Sequence, residues 1–497
     1  MTSQIPGTST GPDRHHGDLP DELPANAGRA ATGILIVLMA QLMLVLDATV
    51  VNVALPRIDS DLGFGPASLS WVLNAYTLAF GGLLLLGGRL GDIRGRLRLF
   101  EIGLAIFTVF SLLGGLAQTP GQLVTARALQ GVGAALAAPS VLALLTTSAP
   151  DEAARNRALA LFGAVSSGGA SIGLLLGGAL TDVGSWRWTL FINVPIGLAV
   201  LASARRFVAE TPKRPGSFDL VGALTATLGA VAIVWSLIGT PEHGWLSVRT
   251  ISGLAVGALL IAVLARTEVR HPHPLVRPHL VRNRRRVAAL AAMALVIGAN
   301  LSMFFLVVQY DQRVLGLGPL QAGVAFLPFS LGVFAMSRVT PWLIARVGPR
   351  VMIMTATLAL VAAYSWLSFV DTTGSYLASV FGPVLIAGLA TGLAFMPITA
   401  TVLGGVEPEY AGAASGLLQT TQQLGSAVGV AAIVSVYAAG AVPGEFVPGA
   451  QAAFLTSAAF SAAAFLVAAF ALRAPRGDHA PARVDAPEPG PELDLAA

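Results

Sequence analysis

Apolar runs of about 20 residues recur from one end of the chain to the other, the length a helix needs to cross the hydrocarbon of a bilayer. They fall near 32–54, 69–88, 99–118, 122–146, 158–180, 189–207, 219–239, 250–266, 287–310, 320–344, 351–370, 376–400, 411–438 and 450–472. Fourteen spans result. Composition agrees, because 55% of the 497 residues are hydrophobic and only 11% charged, against about 25% charged in soluble domains. The expected fold class is therefore an all-α polytopic membrane protein. The first apolar run is longer than the roughly 7–15-residue core of a signal peptide and has no small-residue cleavage pattern behind it, so it should be retained as a span.

Basic residues test the count, since they concentrate in cytoplasmic loops. Arg94, Arg96 and Arg98 follow span 2, Arg155 and Arg157 follow span 4, and Arg205, Arg206, Lys213 and Arg214 follow span 6. Arg266, Arg270, Arg277, Arg282, Arg284, Arg285 and Arg286 follow span 8, Arg346 and Arg350 follow span 10, and Arg473 opens the tail. All fall on one side, whereas Arg57, Arg187, Arg249 and Arg313 fall on the other. Both termini should then be cytoplasmic, in a multi-pass protein of the cell (inner) membrane. The longest basic loops flank spans 7 and 8. They divide the chain into a disordered N-terminus (1–30), a six-helix bundle (31–207), two extra helices with basic loops (208–285), a second six-helix bundle (286–473) and a disordered tail (474–497).

The net charge of +4 does not point to nucleic acid, because the arginines sit in short loops without an aromatic-basic patch. Cysteine is absent, and His15, His16, His243, His271, His273, His279 and His479 all lie outside the spans, so no metal site is expected. Neither an ATP-binding Walker sequence nor a Gly-x-Ser-x-Gly elbow occurs. The chain is not expected to be an enzyme, and a gradient must supply its energy. Six spans plus six suggests two similar bundles facing a central site, as in many secondary transporters. A weak internal echo supports it: "GGRLGDIRGRLRLF" after span 2 returns after span 10 as "TPWLIARVGPRVMI", with Gly348 in place of Gly95 and Ala345 in place of Asp92.

These residues also carry a family resemblance. The loop "GGRLGDIRGRLRLF" resembles the loop signature of the major facilitator superfamily at Gly88, Leu90, Asp92, Gly95 and Arg96. "LDATVVNVALP" in span 1, "RALQGVGAALAAPS" (127–140), "WRWTLFINVPIG" (186–197), "FDLVGALTATLG" (218–229) and "AGAASGLLQTTQQLGSAVGVA" (411–431) look like blocks of its fourteen-span drug:proton antiporters. The resemblance implies the major facilitator fold, two six-helix bundles plus two extra central helices. It implies efflux of a drug, antibiotic or similar amphipathic small molecule by alternating access, driven by the proton-motive force. The partners would be that small molecule, protons and the bilayer, with no cofactor and no obligatory protein partner. Gly88, Asp92, Gly95 and Arg96 would form a conformational latch favouring the outward-facing state; without the resemblance they make a topogenic turn. One block departs, because Leu174 follows Gly173 where the fifth-span antiporter signature has proline. Gly169, Gly173 and Gly177, with Gly178 beside them, still form a stripe along which helices can approach closely, but the kink of a Gly-Pro pair is expected to be missing. A facilitative or proton-coupled metabolite transporter is the rival within the fold. A membrane-embedded transferase is the rival outside it, and would call for acids or histidines clustered at one membrane face.

Asp47 stands alone in the apolar run "LMLVLDATVVNVALP", where an unpaired charge costs roughly 2.5–3.5 kcal/mol. Counting residues along spans 1 and 4 puts Arg127 at nearly the same depth. The two are expected to pair, either as a proton-coupling or cation-binding site or as a fixed brace between helices. Asp311 is a second acid, near the end of span 9, facing either an outer cavity or a solvated loop. Asn52, Gln130, Asn300, Gln309, Tyr310, Gln312, Gln419, Gln422 and Gln423 either line the central cavity or make helix-to-helix hydrogen bonds worth about 1 kcal/mol.

Overall fold

The computed structural model describes residues 25–472, apart from 66, 212, 214–219, 271–277, 408–409 and 443–444. Most of the two termini expected to be disordered lies outside that range, and the first helix begins at Ala25, ahead of the boundary drawn at residue 31. The described residues form α1 (Ala25–Leu62), α2 (Trp71–Arg94), α3 (Arg96–Gly115), α4 (Pro120–Thr147), α5 (Glu152–Val183), α6 (Asn193–Phe207), α7 (Leu220–Ile238) and α8 (Val248–Arg270). Then come α9 (Arg284–Arg313), α10 (Pro319–Ala325), α11 (Leu327–Leu367), α12 (Gly382–Leu403), α13 (Ala411–Ala439) and α14 (Val447–Ala471), with short helical turns between some of them. Helix starts follow local chemistry. Thr119, Asp151 and Asn283 each accept a backbone N–H two or three residues into α4, α5 and α9, occupying donors that the first turn leaves free.

By length and composition twelve helices can cross a membrane, thirteen when bent α5 is taken as one. The continuous stretch Pro319–Leu367 counts once in that number, yet Gly348 breaks it at φ 76°. Only glycine adopts that angle without strain. Two helices therefore meet there, α10 with the first part of α11 and then the remainder, which brings the count to the fourteen expected. In α5, Glu152–Ser166 and Ser171–Val183 diverge by 46° without a proline, ahead of the Gly173–Leu174 position. The run "SSGGAS" at 166–171 supplies the reason: serine and glycine pairs weaken the helical ladder enough to bend it.

In the N-terminal half, α1 packs on α5 and α6, and α4 on α2 and α3. In the C-terminal half, α9 packs on α12, α13 and α14, and α11 on α12 and α14. The extra pair, α7 and α8, pack on each other, and α7 lies against the seam formed by α2 and α13. Leu78, Ala230, Val234, Ala427 and Ala431 are the buried residues where these three helices meet. Leu113, Leu198, Leu259, Leu331, Leu358 and Leu466 point outward. Such a band would drive aggregation in water, and in a bilayer it meets lipid.

The arginine-bearing connections lie at one end of the molecule, here the basic end. At the opposite end the halves are tied together. Arg313 of α9 pairs with Asp59 of α1, and Gln312 donates to Val53 O at 2.9 Å. Gly178 of α5 lies so close to Pro319 and Leu320 that an added Cβ would collide with their backbone. Toward the basic end, α5 and α11 are exposed over most of their circumference. At the end opposite the arginines the two halves are fastened by these contacts of α1, α5, α9 and α10.

Candidate functional site

Five helices of the N-terminal half converge on Asp47, which is fully buried. Arg127 Nη1 lies 2.7 Å from Asp47 Oδ2, with the arginine 1% exposed. Asn193 Nδ2 donates to Asp47 Oδ1 at 2.8 Å and Gln130 Nε2 to the same oxygen at 3.2 Å. Gln130 also donates to Ser111 Oγ at 2.6 Å and accepts from Arg127 Nη1 at 3.0 Å. Arg127 Nε donates to Val72 O at 3.1 Å, and its guanidinium sits 4.5 Å from the centre of the Tyr76 ring. One carboxylate thus receives three donors from α4 and α6, and the cation opposite it is held by α2 as well as by α1.

The placement follows from local sequence. Arg127 and Gln130, three apart on α4, share a face. Asn193 begins α6, where a short turn, Trp188–Phe191, turns the chain inward. Isolated charges at this depth are costly, so closeness and multiple hydrogen bonds make the pair tolerable. The same completeness seals it. Because Asp47, Gln130, Ser111 and Asn193 are all fully buried, the carboxylate can exchange partners only after helices move.

Asn193, Ser111 and Tyr76 were not singled out in the sequence. Asn193 left a signal, as a lone amide inside "WRWTLFINVPIG"; Ser111 and Tyr76 left none, being ordinary residues of apolar helices. Of the residues expected to line a cavity, several are engaged elsewhere. Asn52 and Gln309 are buried and donate to carbonyls of their own helices. Asn300 accepts from Tyr364 and Thr391, tying α9, α11 and α12 together. The Tyr310 hydroxyl donates to Asp371 O at 2.8 Å, Gln312 crosses to α1, and Gln423 packs over Gly81 of α2. Gln419 is exposed and Gln422 half-buried on α13. Asp311 does not lie in a solvated loop: it is fully buried in the last turn of α9, and neither carboxyl oxygen has a hydrogen-bond partner among the described residues.

At the basic end Gly95 takes φ 106°, and a Cβ there would lie 2.5 Å from Glu210 Oε2. Glu210 accepts the backbone N–H groups of Leu97 and Arg98, closing the first turn of α3. Asp92 pairs with Arg96 at 2.6 Å, and Arg96 also donates to Pro139 O. Gly88 lies against Pro139 as well. These contacts hold the loop within its own half. In the fifth span, Gly169, Gly173 and Gly177 face Val45, Thr49 and Val50 of α1, so close that side chains there would collide. Arg286, counted above with the loop arginines, is buried: its Nε donates to Val402 O at 2.7 Å and its Nη2 to Gly404 O, capping the end of α12.

A model of the Major Facilitator Superfamily matches residues 37–430. The chain is 41% identical to the cephamycin export protein CmcT of Amycolatopsis lactamdurans over 416 residues, 83% of this chain and 86% of the relative. It is 41% identical to the puromycin resistance protein pur8 of Streptomyces alboniger over 81% of each chain. The lincomycin resistance protein of Streptomyces lincolnensis is 33% identical over 84% of this chain and 86% of its own. Among solved structures, the POT family transporter PepTSo superposes with a TM-score of 0.65 at 14% identity, covering 88% of this chain and 97% of its own. A bacterial homologue of the lysosomal transporter Spinster, described as inward-facing and unoccupied, gives a TM-score of 0.62 at 15% identity, over 89% and 98%. The chain is a membrane transporter of the major facilitator superfamily.

Proposed function

We propose that the protein exports an antibiotic or a similar amphipathic small molecule from the cytoplasm, exchanging it for protons. Export is supported by relatives named for cephamycin export and for puromycin and lincomycin resistance, each aligned over four-fifths or more of both chains. Coupling rests on the Asp47–Arg127 pair, a carboxylate sealed with its counter-ion inside one bundle. In the state described, the basic end is the cytoplasmic side and the opposite end is the closed outer side. When the halves rock to open the outside, α1 and α4 shift, Arg127 gives up part of its hold, and a proton takes its place on Asp47. Gln419 and Gln422 of α13 line the cytoplasmic cavity, and Asp92 and Arg96 re-pair across the halves when the cytoplasmic side shuts.

Expression in a drug-sensitive host should lower accumulation of the transported antibiotic below its external level, and a protonophore should abolish the difference. Equilibration without a gradient would indicate a facilitative carrier instead. Reporter fusions at residues 20, 212, 280 and 480 should report cytoplasm, and those at 118, 243 and 445 the outside. A fusion at 280 reporting outside would break the division into six spans, a pair and six.

A further inference from the structure

We propose that Asp311 is a second proton-binding carboxyl, one that the outer gate closes over only when a proton from the external solution occupies it. Four consecutive residues at the outer end of α9 carry the argument. Tyr310 donates to Asp371 O, Gln312 donates to Val53 O across the halves, and Arg313 pairs with Asp59 of α1. Residues on both sides of Asp311 are thus fastened to the closed gate. Asp311 between them is fully buried, and among the described residues neither of its oxygens has a partner.

Among the described residues no charge balances it. Tyr376 lies within electrostatic reach, and its hydroxyl is committed to Ala325 O at the end of α10. Tyr310 and Asp371 lie to one side, and Asp371 carries the wrong sign to help. Arg313 is held by Asp59, and Tyr437 of α13 lies beside that pair. Tyr364 of α11 is bound to Asn300, three turns away along α9. Helices α10, α12 and α14 bring no titratable side chain among their described residues. The wall toward α10 belongs to the gate itself, since Gly178 and Leu174 of α5 close on Pro319, Leu320 and Gly323.

An anion shut in such a place, without donor or cation, is far costlier than a neutral acid. Closing the outer side therefore takes up one proton: Asp311 carboxylate and a proton from external water become the carboxylic acid, which the gate then seals. External acid would push the transporter toward its inward-facing form through a residue separate from the Asp47 network. The proposal rests on the facing assignment made above and not on Asp47 being the coupling acid.

The chain has no cysteine, so labels can be placed at will. Gln118→Cys and Thr372→Cys put one spin label on each half at the outer surface, and pulsed distance measurements on the purified full chain then give the ratio of outer-open to outer-closed molecules. In Asp47→Asn protein, where Asp47 no longer titrates, this ratio should rise by up to about tenfold per pH unit across the titration of Asp311. Adding Asp311→Asn to that background should hold the gate closed and flatten the response. Should Asp311→Asn fold poorly, Asp311→Leu, which is also uncharged, carries the same expectation. An unchanged pH response in either uncharged variant, or a gate standing open in it, would overturn the proposal.

Discussion

Asp47 in the N-terminal half and Asp311 in the C-terminal half are both fully buried, and the two are treated oppositely. In the N-terminal half Asp47 receives donors from Arg127, Gln130 and Asn193. In the C-terminal half Asp311 receives none among the described residues, although its neighbours Tyr310, Gln312 and Arg313 are all engaged. Similar helical frameworks can therefore hold a carboxylate in two ways. One surrounds it with charge and amides so that it survives as an ion; the other leaves its charge to the solvent that reaches it when the gate opens. The basic-end loops differ in the same direction. Gly95 sits among Asp92, Arg96 and Glu210, whereas Gly348 has the same kind of turn, with Ala345 in the aspartate's place and nothing near its Cβ direction.

The largest expected effect tests the polar networks. Arg127→Ala strips a buried carboxylate of its counter-ion and should lower stability by about 3–5 kcal/mol, whereas Asn300→Ala, which breaks hydrogen bonds between neutral groups, should cost about 1 kcal/mol. Thermal unfolding in detergent measures both, and equal losses would erase the distinction between the halves. Asp47→Asn should be milder than Arg127→Ala, because Arg127 keeps Val72 O, Gln130 and the Tyr76 face.

Next comes the gate. Gly178→Val forces a side chain against Pro319 and Leu320, and overpacking of this kind costs about 1–3 kcal/mol, but only while the outer side is shut. The variant should therefore populate the outward-facing form, seen as greater labelling of outer cysteines; an unchanged labelling rate would show that α5 does not bear on the closed gate. A smaller effect separates the loops. Gly95→Ala meets both a positive φ and the Glu210 carboxylate, while Gly348→Ala meets the angle alone, about 1–2 kcal/mol. Gly95→Ala should thus be the more damaging in unfolding measurements. Least of all on stability is Asp92→Asn: its pair with Arg96 is about a quarter exposed, and such pairs contribute about 0–1 kcal/mol. Transport should nonetheless fall if the latch works between states, and wild-type transport would reduce the loop to a topology signal.

The spans were legible because length and hydropathy are local properties, and Asp47 and Arg127 because a charge in an apolar run is conspicuous. Their meeting followed from counting residues along two antiparallel helices. Asn193 was half-legible, an amide in an apolar block whose partner lies 146 residues away. Ser111 and Tyr76 carry no pattern, since only the packing of α2, α3 and α4 turns them toward the pair. The bend in α5 was not read at all, because its serine and glycine pairs at 166–171 lie ahead of the Gly173–Leu174 position that drew attention. Which amides would face a cavity was not readable either: Asn52 and Gln309 turn their amide N–H groups to carbonyls of their own helices, a choice made by rotamer and neighbour.

The central claim is that Asp47 is an exchangeable partner for a proton and not a brace. Proton release on adding the exported drug to purified protein in lightly buffered detergent tests it, with thermal stability followed in parallel. The account predicts substrate-linked release from the native protein and its loss in a well-folded Asp47→Asn variant. Undiminished release from that variant, or a variant that fails to fold until Arg127 is neutralised too, would contradict it.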